Sequence, residues 1–192
     1  MSVLPIYMYG QSVLRRKAKP VRSQDDELTK FVDDMFETVR EAGGIGLAAN
    51  QVGAFQRIIV VDVSEMEETK DQAPIALINP EVLSEEGKCT MEEGCLSIPE
   101  VREEVDRPEV IRVRYKDLEF KDRELVASGL VARVMLHEID HLNGVLFVDY
   151  LDPAKKKLLR GRLNKIQRGE VEVSYPIVSD VLPVGRQSVQ AK

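Results

Sequence analysis

Apolar residues recur every three or four positions in three stretches of this chain, the spacing that places them on one face of an α-helix. The first stretch covers residues 25–42, and its apolar positions are Leu28, Phe31, Val32, Met35, Phe36 and Val39. Acidic residues at 25–27 suit the first turn of a helix, and Gly43-Gly44 is a stop signal. The pattern therefore predicts a long amphipathic helix over these residues.

Two further helices are predicted closer to the C-terminus. One follows Ser128, a residue type that caps helix N-termini, and ends at Asn143-Gly144. The other begins after Asp152, with Pro153 in the first helical position, and runs to about Gln167.

Strands are predicted where β-branched residues cluster or alternate with polar ones. Residues 57–63 form a β-branched run of strand length, and a second strand, Ile75 to Ile78, is expected to close at Asn79-Pro80. Residues 110–115 alternate apolar and basic side chains, which marks a strand with one solvated face. The chain is expected to turn at 116–122, and residues 124–127 then lead into the second helix.

The remaining segments show weaker patterns. Residues 1–24 are expected to be an extended, irregular lead-in, because Pro5 and Pro20 interrupt any continuous helix. The other expectations are a mobile acidic surface loop at 64–73, irregular or short-stranded chain at 81–104, a further short strand at 145–148, and partial disorder at the end of the tail from about 170. The expected fold class is α+β, in one domain spanning 1–192, with short mixed or antiparallel strands packed around a central helix and flanked by N-terminal and C-terminal helices.

Composition narrows the class of protein. The chain has 192 residues, 43% of them hydrophobic and 31% charged, as in soluble globular proteins. A net charge of −6 argues against a general nucleic-acid binder. Two cysteines are too few for a disulfide framework, the first ten residues lack a secretory signal, and no apolar run is long enough for a membrane span. We therefore expect a cytoplasmic protein without sequence-specific nucleic-acid or membrane partners.

Both histidines of the chain lie in the predicted central helix, in the segment 137–141, HEIDH. Residues four apart on a helix lie on the same face, so His137 and His141 can bind one metal ion, with Glu138 beside them as a base. A third ligand is needed if the metal is to keep one position open for water. No other histidine exists, so this ligand must be Cys, Asp or Glu. Cys95 stands out because the neighbouring Gly94 lets backbone approach closely.

Three segments together resemble the motifs of the peptide deformylases. They are residues 44–51, GIGLAANQ; residues 93–97, EGCLS; and residues 137–141, HEIDH. They occur in that family's order and at comparable spacings, and they span most of residues 44–141. Leu136 departs from the family, many of whose members carry Gln directly before the first histidine. This position does not alter the ligand set.

The resemblance implies a hydrolase that removes the formyl group from N-terminal formylmethionine of newly made polypeptides. By analogy, Cys95, His137 and His141 bind the metal, which is Fe(II) in the cell, with Zn, Ni or Co able to occupy the site. Glu138 would take a proton from the attacking water and later give one to the leaving amine. Gln51 and the backbone N–H of Leu96 would stabilise negative charge on the formyl oxygen.

The first motif would then form the substrate groove. Gly44 and Gly46 would let an extended peptide lie against backbone, while Ile45 and Leu47 would offer apolar surface. Ile45, Leu96, Leu130, Val134 and the ring of His137 are the candidates for the methionine pocket. Gly94 and Arg102 are further candidates for binding the peptide, and Arg133 would edge the pocket. Asp140 would orient either an imidazole or a nearby basic group, and Glu93 would do likewise.

A cluster of basic residues lies in the third predicted helix, 153–168. Its members are Lys155, Lys156, Lys157, Arg160, Arg162, Lys165 and Arg168. They form either a solvated helix face or a surface that contacts ribosomal RNA near the peptide exit tunnel, where the substrate emerges. Cys89 belongs to no motif and is expected to be inert, although a Cys89–Cys95 disulfide would destroy the ligand set.

Two alternatives to a deformylase are compatible with parts of the pattern. The first is a zinc peptidase that uses the His-Glu-x-x-His motif, against which the Cys95 motif and the lack of a further helix-borne ligand argue. The second is a non-catalytic ribosome-associated protein with a structural metal, which would need a closed site with four ligands.

Overall fold

A computed structural model describes residues 2–180 of the chain, except for the side chain of Glu68. Within these residues the α-helices are α1 (Asp26–Glu41), α2 (Gly129–Leu142) and α3 (Pro153–Gln167). The strands are β1 (Ile6–Tyr7), β2 (Gly46–Ala48), β3 (Ile58–Val61), β4 (Ile75–Glu86), β5 (Cys89–Cys95), β6 (Ile98–Arg107), β7 (Val110–Lys116), β8 (Asp122–Ser128) and β9 (Ile177–Val178). The predicted α+β class is confirmed, with two antiparallel sheets, one short parallel pair (β1 with β9) and the histidine helix at the centre.

An antiparallel sheet of five strands, in the order β2-β3-β4-β7-β8, separates two hydrophobic clusters. All four residues of β3 are buried, because successive side chains point to opposite faces and both faces are covered. Ile58 and Val60 pack in the cluster that contains α1, whereas Ile59 and Val61 pack in the cluster that contains α2. The β-branched run in the sequence therefore reflects a strand between two helices.

The helix boundaries follow the predicted capping signals. The side chain of Asp25 accepts a hydrogen bond from the backbone N–H of Leu28 (2.8 Å) at the start of α1. At the other end, Gly43 has φ +64° and Gly44 N–H donates to Val39 O at 2.8 Å, which forms a Schellman motif. Asp152 likewise accepts hydrogen bonds from the first N–H groups of α3. The predicted extents of α1 and α3 are confirmed.

The central helix α2 begins and ends where the sequence predicted. Ser128 occupies the N-cap position, although its side chain forms no capping bond within the described chain. Gly144 has φ +78°, and Val145 N–H donates to Asp140 O at 2.9 Å, so a second Schellman motif ends the helix. The stop at Asn143-Gly144 is thereby confirmed.

Two strand predictions are wrong in the middle of the chain. β4 continues through Asn79-Pro80 to Glu86, because Pro80 lies in a β-bulge between Ile78 and Glu81, where its missing N–H leaves no gap in the ladder. Residues 81–104 are not irregular, since β5 and β6 form a long hairpin. Charged residues, including the buried Arg107, occupy inward positions of β6, so the sequence does not show the alternation of apolar and polar residues that marks a strand.

The remaining segments differ from expectation in smaller ways. Residues 145–148 do not form a strand, because Phe147–Tyr150 is a 3-10 turn in which Asp149 accepts a hydrogen bond from Leu146 N–H (2.8 Å). The N-terminal lead-in contains β1, which pairs in parallel with β9 of the tail. The loop 64–73 includes a 3-10 turn at Glu67–Thr69, and its mobility stays a prediction.

Two further expectations concern the end of the tail and membrane-spanning segments. The end of the tail, where the sequence predicted partial disorder, lies outside the described residues. Among the helices within residues 2–180, each is too short or too polar to cross a bilayer.

The stop of α2 generates a testable prediction. Gly144→Ala should lower the free energy of unfolding by more than about 1 kcal/mol, because a Cβ there would lie 2.5 Å from Arg15 O at a positive φ. Gly161→Ala is the matched control. At this position inside α3, apart from the chain neighbours and the helix's own backbone, no described atom lies within 4 Å of the added Cβ, so a gain of about 0.5–1 kcal/mol is expected. Urea unfolding of both variants checks the contrast, and equal midpoints would contradict it.

Candidate metal centre and substrate groove

Three ligand atoms converge beside the central helix. Cys95, His137 and His141 each offer one donor atom, and these atoms lie within 4.8 Å of one another. Cys95 Sγ is 3.2 Å from His141 Nε2, and both imidazoles are buried. One thiolate and two imidazoles suit divalent transition metals, so the residues present fit a metal ion.

Local structure explains why these three residues meet. His137 and His141 lie one turn apart on α2, so their rings face the same side, with centroids 4.9 Å apart. Cys95 is the last residue of β5, directly before a turn of two residues that leads to Ile98 of β6. A shift in strand register between Gly94 and Cys95 accompanies this turn and places the sulfur next to the helix.

Glu93 orients the first histidine. Its carboxylate is buried and accepts a hydrogen bond from His137 Nδ1 at 2.8 Å, which leaves the other ring nitrogen free to bind a metal. The same carboxylate accepts from Arg107 at 2.5 and 3.0 Å and from Arg133 at 2.7 Å. Burial acts to raise the pKa of Glu93, but the hydrogen bonds from His137 and Arg107 outweigh it and hold the pKa well below its usual range.

Arg107 connects this carboxylate to the outer side of α2. It donates to Asp140 at 2.6 Å, and Asp140 also accepts from the hydroxyl of Tyr150 at 2.8 Å. Asp140 therefore contacts a basic group rather than an imidazole, which were the two roles the sequence left open. Arg107 and Tyr150 were missed, because neither belongs to a motif.

The two imidazoles differ in their electrostatic surroundings. Burial lowers the pKa of His141 well below its ordinary value, so this ring is neutral, as a metal ligand must be. Burial also opposes protonation of His137, but hydrogen bonds with Cys95 and Glu93 raise its pKa. A proton and a metal ion therefore compete for His137.

Glu138 has the environment of a general base. It is buried beside the ligands, and its Oε2 has no hydrogen-bond partner within residues 2–180. Burial raises the pKa of Glu138 to about 7, above the range of an exposed carboxylate. Its other oxygen approaches Gly46 closely, since a Cβ at that position would lie 2.6 Å away. The first motif therefore needs glycine there to admit the carboxylate.

Gln51 and Leu96 border the sulfur of Cys95. The Gln51 side chain accepts from Ala48 N–H at 2.8 Å, and its Nε2 lies 3.2 Å from Ser97 Oγ and 3.5 Å from Cys95 Sγ. These contacts direct the amide donor towards the metal centre. Leu96 is the first turn residue after Cys95, and its side chain lies against Gly44, where a Cβ would come within 2.8 Å of it.

A cavity of about 590 Å³ extends from these residues to the surface. Its lining includes the groove residues named from the sequence: Gly44, Ile45, Gly46, Gly94, Arg102, Leu130 and Val134. Leu47 is the exception, because it is fully buried in the cluster that contains α1. Successive residues of β2 point to opposite faces of the strand, and only the face opposite Leu47 meets the cavity.

Two basic residues and one cysteine have different surroundings. Arg102 lies at the cavity rim, 3.7 Å from Glu92. Arg133 contributes to the cavity wall, but its guanidinium donates hydrogen bonds to Glu93 and to the carbonyls of Val105 and Cys89.

Cys89 is at the opposite end of β5 from Cys95, about 20 Å away by strand geometry. Both thiols are free, and a disulfide between them would require their Cα atoms to lie less than about 7 Å apart.

The sequence did not identify the part that the tail plays in the cavity. Residues 172–175 line it, and the hydroxyl of Tyr175 donates to the carbonyl of Leu96 at 2.8 Å. A signal was present in the sequence, because apolar or aromatic residues occupy every second position from Val171 to Ile177, and these are the half-buried positions in the structure. Asn50 was missed as well, and it donates to the backbone carbonyl of His141.

Comparisons with known proteins give a consistent result. The model of the polypeptide deformylase family matches residues 3–157. A peptide deformylase of Salinibacter ruber is 50% identical over 185 residues, which cover 92% of this chain and 95% of that protein. A crystal structure of the Legionella pneumophila peptide deformylase has a TM-score of 0.81 at 38% identity, covering 88% of this chain and 98% of that one. The Synechococcus elongatus enzyme in complex with actinonin has a TM-score of 0.74 at 44% identity, covering 87% of each chain.

The buried carboxylate generates a prediction about stability. Glu93→Gln should lower the free energy of unfolding of the chelator-treated protein by about 3 kcal/mol, because Arg107 and Arg133 lose a buried anionic partner. Glu92→Gln, at the exposed preceding position of β5, is the matched control and should change the free energy of unfolding little.

The effect of Glu93→Gln should also depend on pH. Because folding lowers the pKa of Glu93, the carboxylate stabilises the protein above its ordinary value of 4.5 and loses this contribution as the pH falls below it. The difference from wild type should therefore be full at pH 7 and shrink below about pH 4.5 in urea unfolding. A difference that grows on acidification would contradict the assigned charge state.

Proposed function

This chain belongs to the polypeptide deformylase family, whose members are metal-dependent enzymes that remove the N-formyl group from nascent peptides, and we propose that its metal is held by Cys95, His137 and His141. The observation that carries the proposal is the convergence of their three donor atoms within 4.8 Å. Fe(II) is the proposed metal in the cell, and the same donors accommodate Zn, Ni or Co. The chemistry that such an ion supplies is a lowered pKa of water and polarisation of the formyl oxygen.

Glu138 is the proposed general base and acid. Its carboxylate accepts a proton from the water that attacks the formyl carbon, and it then donates a proton to the amine nitrogen as the C–N bond breaks. The products are formate and a free N-terminal amine. A raised pKa of about 7 supports both steps, because proton transfer in each direction is efficient when the pKa lies near the working pH.

Gln51 Nε2 and the Leu96 backbone N–H are the proposed donors to the formyl oxygen. The amide of Gln51 is fixed by its hydrogen bond from Ala48 N–H, so it needs no reorganisation as charge develops. Leu96 follows the ligand Cys95 directly, which keeps its N–H close to the reacting group. Together the two donors would stabilise negative charge on that oxygen.

The cavity is the proposed binding groove for the formylmethionyl peptide. Ile45, Leu130 and Val134 supply apolar surface for the methionine side chain, while Gly44, Gly46 and Gly94 permit close approach of the peptide backbone. Arg102 at the rim is placed to contact the peptide beyond its first residue. Residues 2–180 are proposed to act as one catalytic unit, since the groove draws on segments from residue 42 to residue 175.

The basic residues of α3 support a second proposal, contact with the ribosome near the exit tunnel. Three of the seven form ion pairs within the protein: Lys155 with Glu103, Arg162 with Glu100, and Arg168 with Glu170. In the part of the chain that the structure describes, Lys157, Arg160 and Lys165 have no such pairing. These three are therefore the candidates for contacting RNA phosphates. A cytoplasmic location of the protein stays a prediction.

The assignment of Glu138 predicts the result of an isosteric substitution. Glu138→Gln should retain metal at wild-type stoichiometry but lower kcat for formate release from a formyl-methionyl tripeptide by at least about 10²-fold, because an amide cannot accept the proton. Protein purified anaerobically with Fe(II) is assayed, and its metal content is measured in parallel. Glu104→Gln, on the exposed face of β6, is the control. Near-normal turnover of the Glu138 variant would refute the assigned role.

The ribosome proposal predicts a difference between two triple variants of equal charge. Replacing the unpaired Lys157, Arg160 and Lys165 by Gln should weaken ribosome association. The slope of the logarithm of the binding constant against the logarithm of the salt concentration should become shallower by about one per lost contact. Replacing the ion-paired Lys155, Arg162 and Arg168 by Gln should have a smaller effect. Cosedimentation at several salt concentrations measures both, and formate release should be unchanged. Equal binding by both variants would contradict this surface assignment.

A further inference from the structure

The turn between β5 and β6 is held from outside the hairpin. It consists of Leu96 and Ser97, which follow the ligand Cys95. Ser97 O accepts a hydrogen bond from the N–H of Tyr9 at 2.8 Å, and Ser97 Oγ contacts Gln51 Nε2 at 3.2 Å. The carbonyl of Leu96 accepts from the hydroxyl of Tyr175 at 2.8 Å. Segments distant in the sequence therefore hold the peptide units 96–97 and 97–98, on the C-terminal side of Leu96.

Tyr175 reaches this turn because the chain reverses after α3. Gly169 has φ +73°, and hydrogen bonds from Gly169 N–H to Ile166 O and from Glu170 N–H to Lys165 O form a third Schellman motif. The chain then runs back along the cavity in an extended conformation, and β9 pairs with β1. This segment lies beyond residue 157, where the family match ends, so the match does not account for it.

We propose that Tyr175 is a positioning residue for deformylation, whose hydroxyl holds the Leu96 carbonyl and thereby restricts the φ and ψ angles of Leu96 that set the direction of its N–H. The inference rests on the proposed role of that N–H as a donor to the formyl oxygen. Leu96 is constrained on both sides, since Cys95 before it belongs to the ligand set and Ser97 after it is bound by Gln51 and Tyr9. The bond from Tyr175 completes this arrangement at the residue itself.

The surroundings of Tyr175 suit a fixed donor. Its ring is half-buried and packs against the cluster that contains α1, so few rotamers are open to it. Burial, with a smaller contribution from Cys95, raises the pKa of Tyr175 to about 12, so the hydroxyl keeps its proton over any workable assay range. A donor to a developing charge must be placed accurately, because small displacements of catalytic groups cost large factors in rate. Loss of this hydroxyl should therefore affect turnover more than binding.

The test is Tyr175→Phe in the full chain, which removes the hydroxyl and keeps the ring. We expect kcat for formate release from a formyl-methionyl tripeptide to fall roughly three- to tenfold, with KM unchanged, because one hydrogen bond is lost. Metal content and the sulfur-to-metal charge-transfer absorption of the cobalt-loaded protein should match wild type. Tyr115→Phe on β7 is the control, since within the described residues its hydroxyl has no hydrogen bond. Unchanged kcat overturns the proposal, as does a fall in kcat accompanied by loss of metal or a rise in KM.

A second measurement does not depend on turnover. Hydrogen exchange at residues 95–97 should be faster in Tyr175→Phe than in wild type and in Tyr115→Phe, because the turn loses one of its external contacts. Unchanged exchange overturns the positioning role. Absence of formate release from the loaded wild-type protein would instead refute the proposed function, and the exchange experiment would then still decide whether Tyr175 holds the turn.

Discussion

The carboxylate of Glu93 is the group on which the candidate metal centre depends. It is buried and accepts hydrogen bonds from Arg107 of β6 and from His137 and Arg133 of α2. A buried charge without partners is costly, so the hairpin and the helix are stable together only in the arrangement that supplies all three donors. Cys95 lies two residues beyond Glu93, and the register shift between Gly94 and Cys95 brings its sulfur to the same helix. The pairing of Glu93 thus determines that the thiolate meets the two imidazoles.

The second constraint is the burial of α2. Ten of its fourteen residues are buried, so this helix has no broad solvated face on which charged side chains could remain hydrated. One side packs on the sheet through residues such as Met135 and Leu142. The other side carries His137, Glu138 and His141, whose polar atoms face the hairpin and the cavity. The same burial that raises the pKa of Glu138 also keeps His141 neutral, so one physical cause suits both residues to their proposed roles as base and ligand.

The groove is assembled from segments at both ends of the chain. The N-terminal strand β1 pairs with β9, and Tyr9 next to it holds the carbonyl of Ser97. Residues 172–175 form the opposite wall and contact Leu96 through Tyr175. The three motifs therefore supply the proposed ligands, whereas segments near the termini stabilise the turn that joins Cys95 to the cavity.

The sequence by itself determined the elements whose signals are contiguous. The stripes and caps of α1 and α3, the stop at Gly144 and the spacing of His137 and His141 all depend on residues within one or two turns, so local rules predicted them. The motifs also identified Cys95, which the structure brings to the histidines. Only the tertiary structure decided the partners of Glu93, the β5–β6 hairpin and the contact of Tyr175. The hydrogen-bond partners of Glu93 and Tyr175 lie 14 to 79 positions away in the chain, and charged or polar side chains at inward positions of the hairpin interrupt the apolar pattern from which strands are recognised. Such contacts arise when separate elements pack against one another, and no local period in the chain records them.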